Sequence, residues 1–151
     1  MSKNTRQIEN EIKKLFNNIN NSVEEEYRII NTNNMFFEES DPAKEPGTYV
    51  YADSAGYHLD IIGDRGGIAE EKIIDNLEDL YFELCWTLVS SISTLYASKN
   101  RIKGRDWRRI MFAKRIELLE NLNFDFGKKG KTLVDEILEN APYNDELLGR
   151  L

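Results

Sequence analysis

One predicted helix, from about residue 75 to Ser98, constrains this 151-residue chain more than any other segment. Successive helical residues turn by about 100°, so side chains three or four positions apart share a face. Apolar side chains cover more than half of this helix's circumference: Leu77, Tyr81, Phe82, Leu84, Cys85, Trp86, Leu88, Val89, Ile92, Leu95 and Tyr96. A helix this apolar must be contacted on at least two sides, so we expect it to lie at the centre of the core, between a sheet and another helix.

Three strands are predicted ahead of this helix. Residues 48–53 and 57–62 are rich in aromatic and branched side chains, and the intervening turn at 54–56 contains a glycine, which is typical of a hairpin. Alternation places Tyr57, Leu59 and Ile61 on one face and His58 and Asp60 on the other. A glycine-rich turn at 63–67 leads to a third strand at 68–74, which completes a small antiparallel meander.

The remaining helices are predicted from apolar spacing. Ile8, Ile12, Leu15, Phe16 and Ile19 define an N-terminal helix, and residues 24–30 are compatible with a short one. A third long helix is predicted over about 105–122 and a fourth over about 132–140. The expected fold class is α+β, a small antiparallel three-strand meander packed against a bundle of about four helices. Chain length predicts a single domain over residues 1–151.

Basic charge is concentrated in residues 99–131, which hold 11 lysines and arginines against four acidic residues, although the chain has a net charge of −7. On the third long helix, Arg108 and Arg115 project into the apolar stripe, only about 20° apart around the axis. An unpaired charge there is costly, so we expect both to meet carboxylates or to open into a cleft. The candidate partners are Asp60, Asp64 and Glu83.

A second interpretation concerns the arginines on the flank of that stripe. They could be solvated, or they could form an exposed patch that recognises carboxylates or phosphates of a partner. The candidate partner-binding residues are Arg101, Arg105, Asp106 and Arg109. Both interpretations can hold for different arginines of one helix.

Catalytic constellations are not evident in the sequence. His58 is the only histidine and is expected to be a structural strand residue hydrogen-bonded near Asp60, while the single Cys85 is expected to be an inert core thiol. We therefore predict no enzyme activity, no metal site and no cofactor. Neither a secretory signal nor a membrane span is apparent, and the expected localisation is cytoplasmic.

Four short motifs occur in order: Gly56-Tyr57-His58, Asp64-Arg65-Gly66, Asn100-Arg101-Ile102 and Asp106-Trp107-Arg108-Arg109. This series resembles a family of bacterial polymorphic-toxin immunity proteins, the sixty-third in the immunity-protein series. The family usually has glutamate where this chain has Asp64, and phenylalanine is commoner at the position of Trp107. The likeness covers roughly residues 47–145 and leaves 1–46 as an N-terminal helical extension.

The resemblance implies a binding protein that neutralises a cognate toxin domain by direct stoichiometric contact. A basic nuclease is one candidate for that toxin, because acidic surface outside 99–131 would attract it. Tyr57, His58, Asp60, Asp64, Arg65, Arg108 and Arg115 would then serve the fold. The alternative is a nucleic-acid-binding or regulatory module that uses the basic segment 99–131. The global negative charge makes nucleic acid the weaker candidate partner.

Overall fold

The computed structural model describes residues 3–30 and 34–150. Its helices are α1 (Thr5–Asn21), α2 (Leu77–Lys99), α3 (Arg108–Leu122), α4 (Phe124–Asn140) and α5 (Asp145–Leu148), with a 3-10 turn at Glu25–Tyr27. Its strands are β1 (Met35–Phe36), β2 (Gly47–Asp53), β3 (Gly56–Ile62) and β4 (Ile68–Ile74). The predicted α+β class is confirmed.

Backbone contacts divide the chain into two compact units. The sheet unit comprises residues 1–14 and 30–84, and the helical unit comprises residues 15–29 and 85–151. One boundary falls within α1, one within α2, and the third lies between residues 29 and 30. The single domain over the whole chain stays a prediction.

The sheet has the order β1-β2-β3-β4. The three predicted strands are present and antiparallel, with Asp53 opposite Gly56 at the hairpin turn. The predicted strand count is wrong, because β1 pairs in parallel with β2 and makes the sheet four-stranded and mixed. A two-residue strand carries no alternation, so the sequence gives no signal for it.

The core of the sheet unit includes side chains from both faces of the sheet, with Tyr49 and Ile62 on the face opposite to Tyr57, and side chains from the helical segments of the unit. Tyr57 and Leu59, which alternation places on one face, are buried together with Val50. The helical segments contribute apolar side chains that are at most 4% exposed: Ile8, Ile12, Leu80 and Leu84. Burial of this kind contributes about 1.5–3 kcal/mol for each large aliphatic side chain.

Helix α2 has the length that its apolar pattern predicts. It begins with Asn76, whose Oδ1 accepts the N–H of Asp79 at 2.9 Å, one residue later than the predicted cap at Asp75. Within the helical unit its residues Cys85, Val89 and Ile92 have no exposed surface. Each unit therefore buries its own part of α2, which confirms that this helix lies in the core.

In the helical unit, α4 begins eight residues earlier than the predicted Thr132. The side chain of Asn123 caps it by accepting the N–H of Phe126 at 2.8 Å. Gly127 and Gly130, which in a sequence suggest a loop, lie where α3 approaches closely. A Cβ on Gly130 would be 2.4 Å from Leu119 Cδ1, so the glycines permit helix packing rather than end the helix.

Within the described ranges 3–30 and 34–150, no helix has both the length and the apolar character needed to cross a membrane.

Candidate functional site

The basic motif of the sequence forms two ion pairs, Arg108 with Asp106 and Arg109 with Asp145, which together we call the clasp. The side chain of Asp106 has no exposed surface. Asp106 lies just before α3, so its carboxylate can turn back to accept the N–H of Arg108 at 2.9 Å, an N–H that no helical carbonyl can reach. The same carboxylate accepts Arg108 NH2 at 2.8 Å and the N–H of Asn144 at 2.9 Å. Burial raises the pKa of Asp106, but these hydrogen bonds outweigh burial and lower it to about 2.

Arg108 ties this carboxylate to the chain that follows α4. Its NH1 donates to the carbonyl of Ala141 and its NH2 to the carbonyl of Pro142, at 2.9 and 2.8 Å. The predicted pairing of Arg108 with Asp60, Asp64 or Glu83 is wrong. Helix α3 begins at Arg108 rather than Arg105, which leaves Asp106 outside the helix and within reach of the guanidinium.

Arg109 forms the second half of the clasp with Asp145. Its Nε and NH2 donate to the two carboxylate oxygens at 2.9 and 3.1 Å, and its guanidinium lies 4.2 Å from the ring centre of Tyr143. Asp145 also accepts the N–H of Asp106 at 2.7 Å. The hydrogen bond from Arg109 is the main cause that lowers the pKa of Asp145. The motif arginines therefore fix the segment between α4 and α5 against the start of α3.

Arg115 has a different environment from the one predicted. It is 7% exposed, and its Nε donates to the hydroxyl of Ser93 at 3.2 Å. Its guanidinium lies 4.9 Å from the ring centre of Trp86 and 5.3 Å from that of Phe112. The predicted carboxylate partner is wrong for this residue too, because aromatic faces and a hydroxyl surround the cation. Burial lowers the pKa of Arg115.

The candidate partner-binding residues separate into two groups. Arg101 and Arg105 are exposed on the loop between α2 and α3, with Arg101 5.6 Å from the ring centre of Trp107. For these two, partner binding stays a prediction. For Asp106 the prediction is wrong, because its carboxylate is fully buried. Arg109 keeps some exposed surface, but its guanidinium group is hydrogen-bonded to the carboxylate of Asp145.

A second polar cluster lies in the sheet unit, on the face opposite to Tyr57. The rings of His58 and Tyr51 stack with centres 4.3 Å apart and planes at 2°. Asp60, which is 2% exposed, accepts hydrogen bonds from Ser40 Oγ at 2.7 Å and Tyr51 Oη at 3.1 Å. In this cluster, two hydroxyl groups of the described residues satisfy a buried carboxylate.

His58 takes a different partner from the one expected. Its Nε2 lies 2.7 Å from Asp53 Oδ1, and this hydrogen bond is the main cause that lowers the pKa of Asp53. The acceptor comes from the neighbouring strand β2, whereas Asp60 receives its hydrogen bonds from Ser40 and Tyr51. The two-residue hairpin loop sets the strand register and places Tyr51 opposite His58. That register is the sequence signal from which Tyr51 and Asp53 could have been identified as neighbours of His58.

The turn motif and the cysteine complete the set of predicted residues. Asp64 and Arg65 are exposed in the turn between β3 and β4, whereas Tyr57 is buried in β3. Burial raises the pKa of the Cys85 thiol to about 12, which keeps it protonated at neutral pH. Among the residues the structure describes, no group of three or more histidine, cysteine or acidic side chains is placed to hold a metal ion.

The comparison with protein families gives one match. The model described as Immunity protein 63 matches residues 53–136, which is more than half of the chain. The matched range includes His58, Asp60 and the arginines of α3, and it excludes Asp145 and the first 52 residues. No curated protein and no solved structure matches the chain.

Proposed function

Because the chain belongs to the Immunity protein 63 family, we propose that it neutralises a cognate toxin by binding the toxin domain directly in a stoichiometric complex. The family match is the observation that carries this proposal. It spans the last residue of β2, the whole of β3, β4, α2 and α3, and most of α4. It therefore covers both polar clusters except for Ser40, Tyr51 and the residues beyond α4.

The use of the charged residues supports binding rather than catalysis. Asp60 and Asp106 each accept several hydrogen bonds from within the fold, and Arg108 and Arg109 are occupied by carboxylates and carbonyls. A general acid or base needs a proton that it can exchange with a substrate. Side chains used in this way instead hold surfaces in a fixed shape, which lowers the cost of ordering them on binding.

Charge in the two units supports a basic partner. The sheet unit holds seven lysines and arginines against 15 acidic residues, a net charge of −8. The helical unit holds 13 against 12, a net charge of +1. We propose that the acidic sheet unit attracts the toxin, and that a basic nuclease domain fits this charge. The proposed site of action is the cytoplasm.

The alternative of nucleic-acid binding by residues 99–131 has less support. Of the arginines in that segment, Arg108 and Arg109 are engaged inside the clasp and Arg115 is buried. The guanidinium groups of Arg108 and Arg109 could contact phosphates only if their ion pairs with Asp106 and Asp145 broke, and that of Arg115 only if it became exposed. The exposed basic side chains of the loop, such as Arg101 and Arg105, and of α4, such as Lys128 and Lys131, are what remains to support it.

Co-expression tests the proposed function. The gene immediately upstream is expected to encode the toxin domain, which is expressed from an inducible plasmid. Co-expression of this chain is expected to restore growth, and the two proteins are expected to co-elute from a size-exclusion column at a one-to-one ratio. An unrelated acidic protein of similar size, expressed to the same level, serves as the control. Continued growth arrest with no co-elution would overturn the proposal.

A further inference from the structure

The outer edge of β4 is an open strand edge in the sheet unit. The sheet order places β4 at one edge and β1 at the other. At the β1 edge, the N–H of Thr48 donates to the carbonyl of Asn34 at 2.7 Å, and the N–H of Ala52 donates to the hydroxyl of Thr5 at 3.0 Å. That edge is therefore partly covered, whereas β4 pairs only with β3 among the described residues.

The hairpin register determines which backbone groups of β4 point outward. Asp53 and Gly56 close a two-residue loop, so they form a hydrogen-bonded pair, and such pairs alternate along antiparallel strands. Leu59 therefore directs its backbone groups towards β4, where it pairs with Lys72. The outward N–H of Thr48 and Ala52 on β2 agrees with this assignment.

It follows that Glu71 and Ile73 present their N–H and C=O groups to the outside. In the part of the chain that the structure describes, nothing bonds to these groups. Ile73 is also 57% exposed, and Glu71 is exposed beside it on the same face. An exposed edge of this kind is a template for an added strand.

Folded proteins usually protect such edges with short strands, prolines, bulges or charged side chains. β4 is seven residues long and has no proline, and its register shift lies opposite Ile61 and Ile62, at the far end from Ile73. Its one lysine, Lys72, is paired with Glu83 and Glu70. The half of the strand from Glu71 to Ile74 is therefore protected by charge alone, with no proline and no bulge, and an acidic charge does not oppose a basic partner segment.

We propose that this edge is where the toxin docks, by adding an extended lysine- or arginine-rich segment to the sheet as a fifth strand. This proposal rests on the proposed function. Exposed carboxylates lie along the edge and at its end, on Glu71, Asp75 and Glu78, within a unit of net charge −8. Backbone hydrogen bonds would supply affinity, the carboxylates would select basic side chains, and Ile73 would contact an aliphatic one.

The substitution Glu71→Pro tests the edge. Proline removes the outward N–H and costs no hydrogen bond to β3, because proline is tolerated where the N–H of an edge strand faces solvent. Binding to an inactivated toxin domain, encoded immediately upstream, is expected to weaken at least about tenfold, measured by calorimetry. The matched comparison is Glu71→Gln, which removes the same carboxylate but keeps the N–H, and it is expected to bind clearly more tightly than Glu71→Pro. Equal affinity of the two variants would show that the outward N–H does not contribute to binding.

Amide hydrogen exchange on the unmodified protein provides a second measurement, which does not depend on a variant folding. The amides of Glu71 and Ile73 are expected to exchange quickly in the free protein and to become protected in the complex. Tight wild-type binding with these amides still unprotected would overturn the edge proposal alone. No binding by the wild type would overturn the proposed function with it. Protection in the absence of toxin, together with dimer formation, would assign the edge to a second copy of this chain and overturn the proposal.

Discussion

Asp106 is the residue that links the basic motif to the rest of the helical unit through its hydrogen bonds to Arg108 and Asn144. Its carboxylate has no exposed surface and receives hydrogen bonds from one guanidinium and two backbone N–H groups. Removing one partner of a buried ion pair usually costs about 3–5 kcal/mol, because the other charge is left unmatched. Arg108 would be that unmatched charge.

Asp106→Asn is accordingly expected to lower the free energy of unfolding by about 3 kcal/mol, as measured by urea denaturation. The control Glu117→Gln removes an exposed carboxylate on α3 that pairs with Lys114, and is expected to change stability by less than about 1 kcal/mol. Equal stability of the Asp106 variant and the wild type would show that the clasp does not contribute to folding.

The lowered pKa of Asp106 also predicts a pH dependence. Its pKa is about 2 in the folded protein against 3.8 for the ordinary side chain, so the folded state favours the ionised form. The resulting stability, about 2 kcal/mol, is fully present above pH 3.8 and is lost as pH falls towards 2. Urea denaturation at a series of pH values should show this loss in the wild type. Asp106→Asn should lose less stability over the same range, and identical slopes would contradict the assignment.

Unlike Arg108, Arg115 has no carboxylate partner within residues 3–30 and 34–150. It is buried against Trp86 and Phe112, so its charge carries a desolvation cost that these ring faces and the Ser93 hydroxyl offset. Arg115→Met keeps the volume and removes that cost, and is expected to leave the unfolding free energy within about 1 kcal/mol or to raise it. Arg115→Ala should lose about 2 kcal/mol or more, because it leaves a cavity. A thermal melt that shows both variants equally destabilised would contradict this assignment.

At the scale of elements, the packing of α3 against α4 depends on the absence of side chains at two positions. Gly130→Ala is expected to destabilise the protein by about 1–3 kcal/mol in chemical denaturation, since a Cβ would be 2.4 Å from the buried Leu119 side chain. Alanine favours helices by about 1 kcal/mol over glycine, so a gain in stability would show that the helices can separate at no cost. Lys128→Ala, on an exposed position of the same helix, controls for propensity.

The elements that the sequence predicts best are those with long periodic patterns. Apolar spacing identified α1 and α2, and alternation identified β3, because burial imposes these periods on the chain. β2 was predicted from its aromatic and branched residues, and β4 from the glycine-rich turn that precedes it. The first two turns of α4 were missed, since glycine lowers helix propensity and only the proximity of α3 explains Gly127 and Gly130. β1 and α5 are too short to carry a period.

For the candidate site, the sequence predicts where the arginines point but not which residues they contact. A helical wheel gives the direction of Arg108 and Arg115 but not the neighbours they meet. Asp106 was within two residues of Arg108, yet its role depends on α3 beginning at Arg108 and on Asn144 lying beside it. Such partners come from tertiary structure, which a single sequence does not specify.

At the scale of the whole molecule, the separation of charge predicts how association with the toxin depends on salt. The sheet unit carries −8 and the helical unit +1, so a basic partner is attracted over a long range only when screening is weak. Raising salt from about 20 to about 500 mM should slow association with a basic toxin domain about tenfold in stopped-flow measurements. Glu71→Lys should reduce that salt dependence, whereas Glu136→Lys on α4 should leave it nearly unchanged. A rate that does not depend on salt would show that charge does not guide the encounter.

Titration of toxin activity with the purified chain tests neutralisation by direct binding most directly. With the toxin concentration held well above the dissociation constant of the complex, toxin activity should fall linearly and reach zero at about one equivalent of this protein. Toxin that remains fully active in the presence of a large excess would contradict the account.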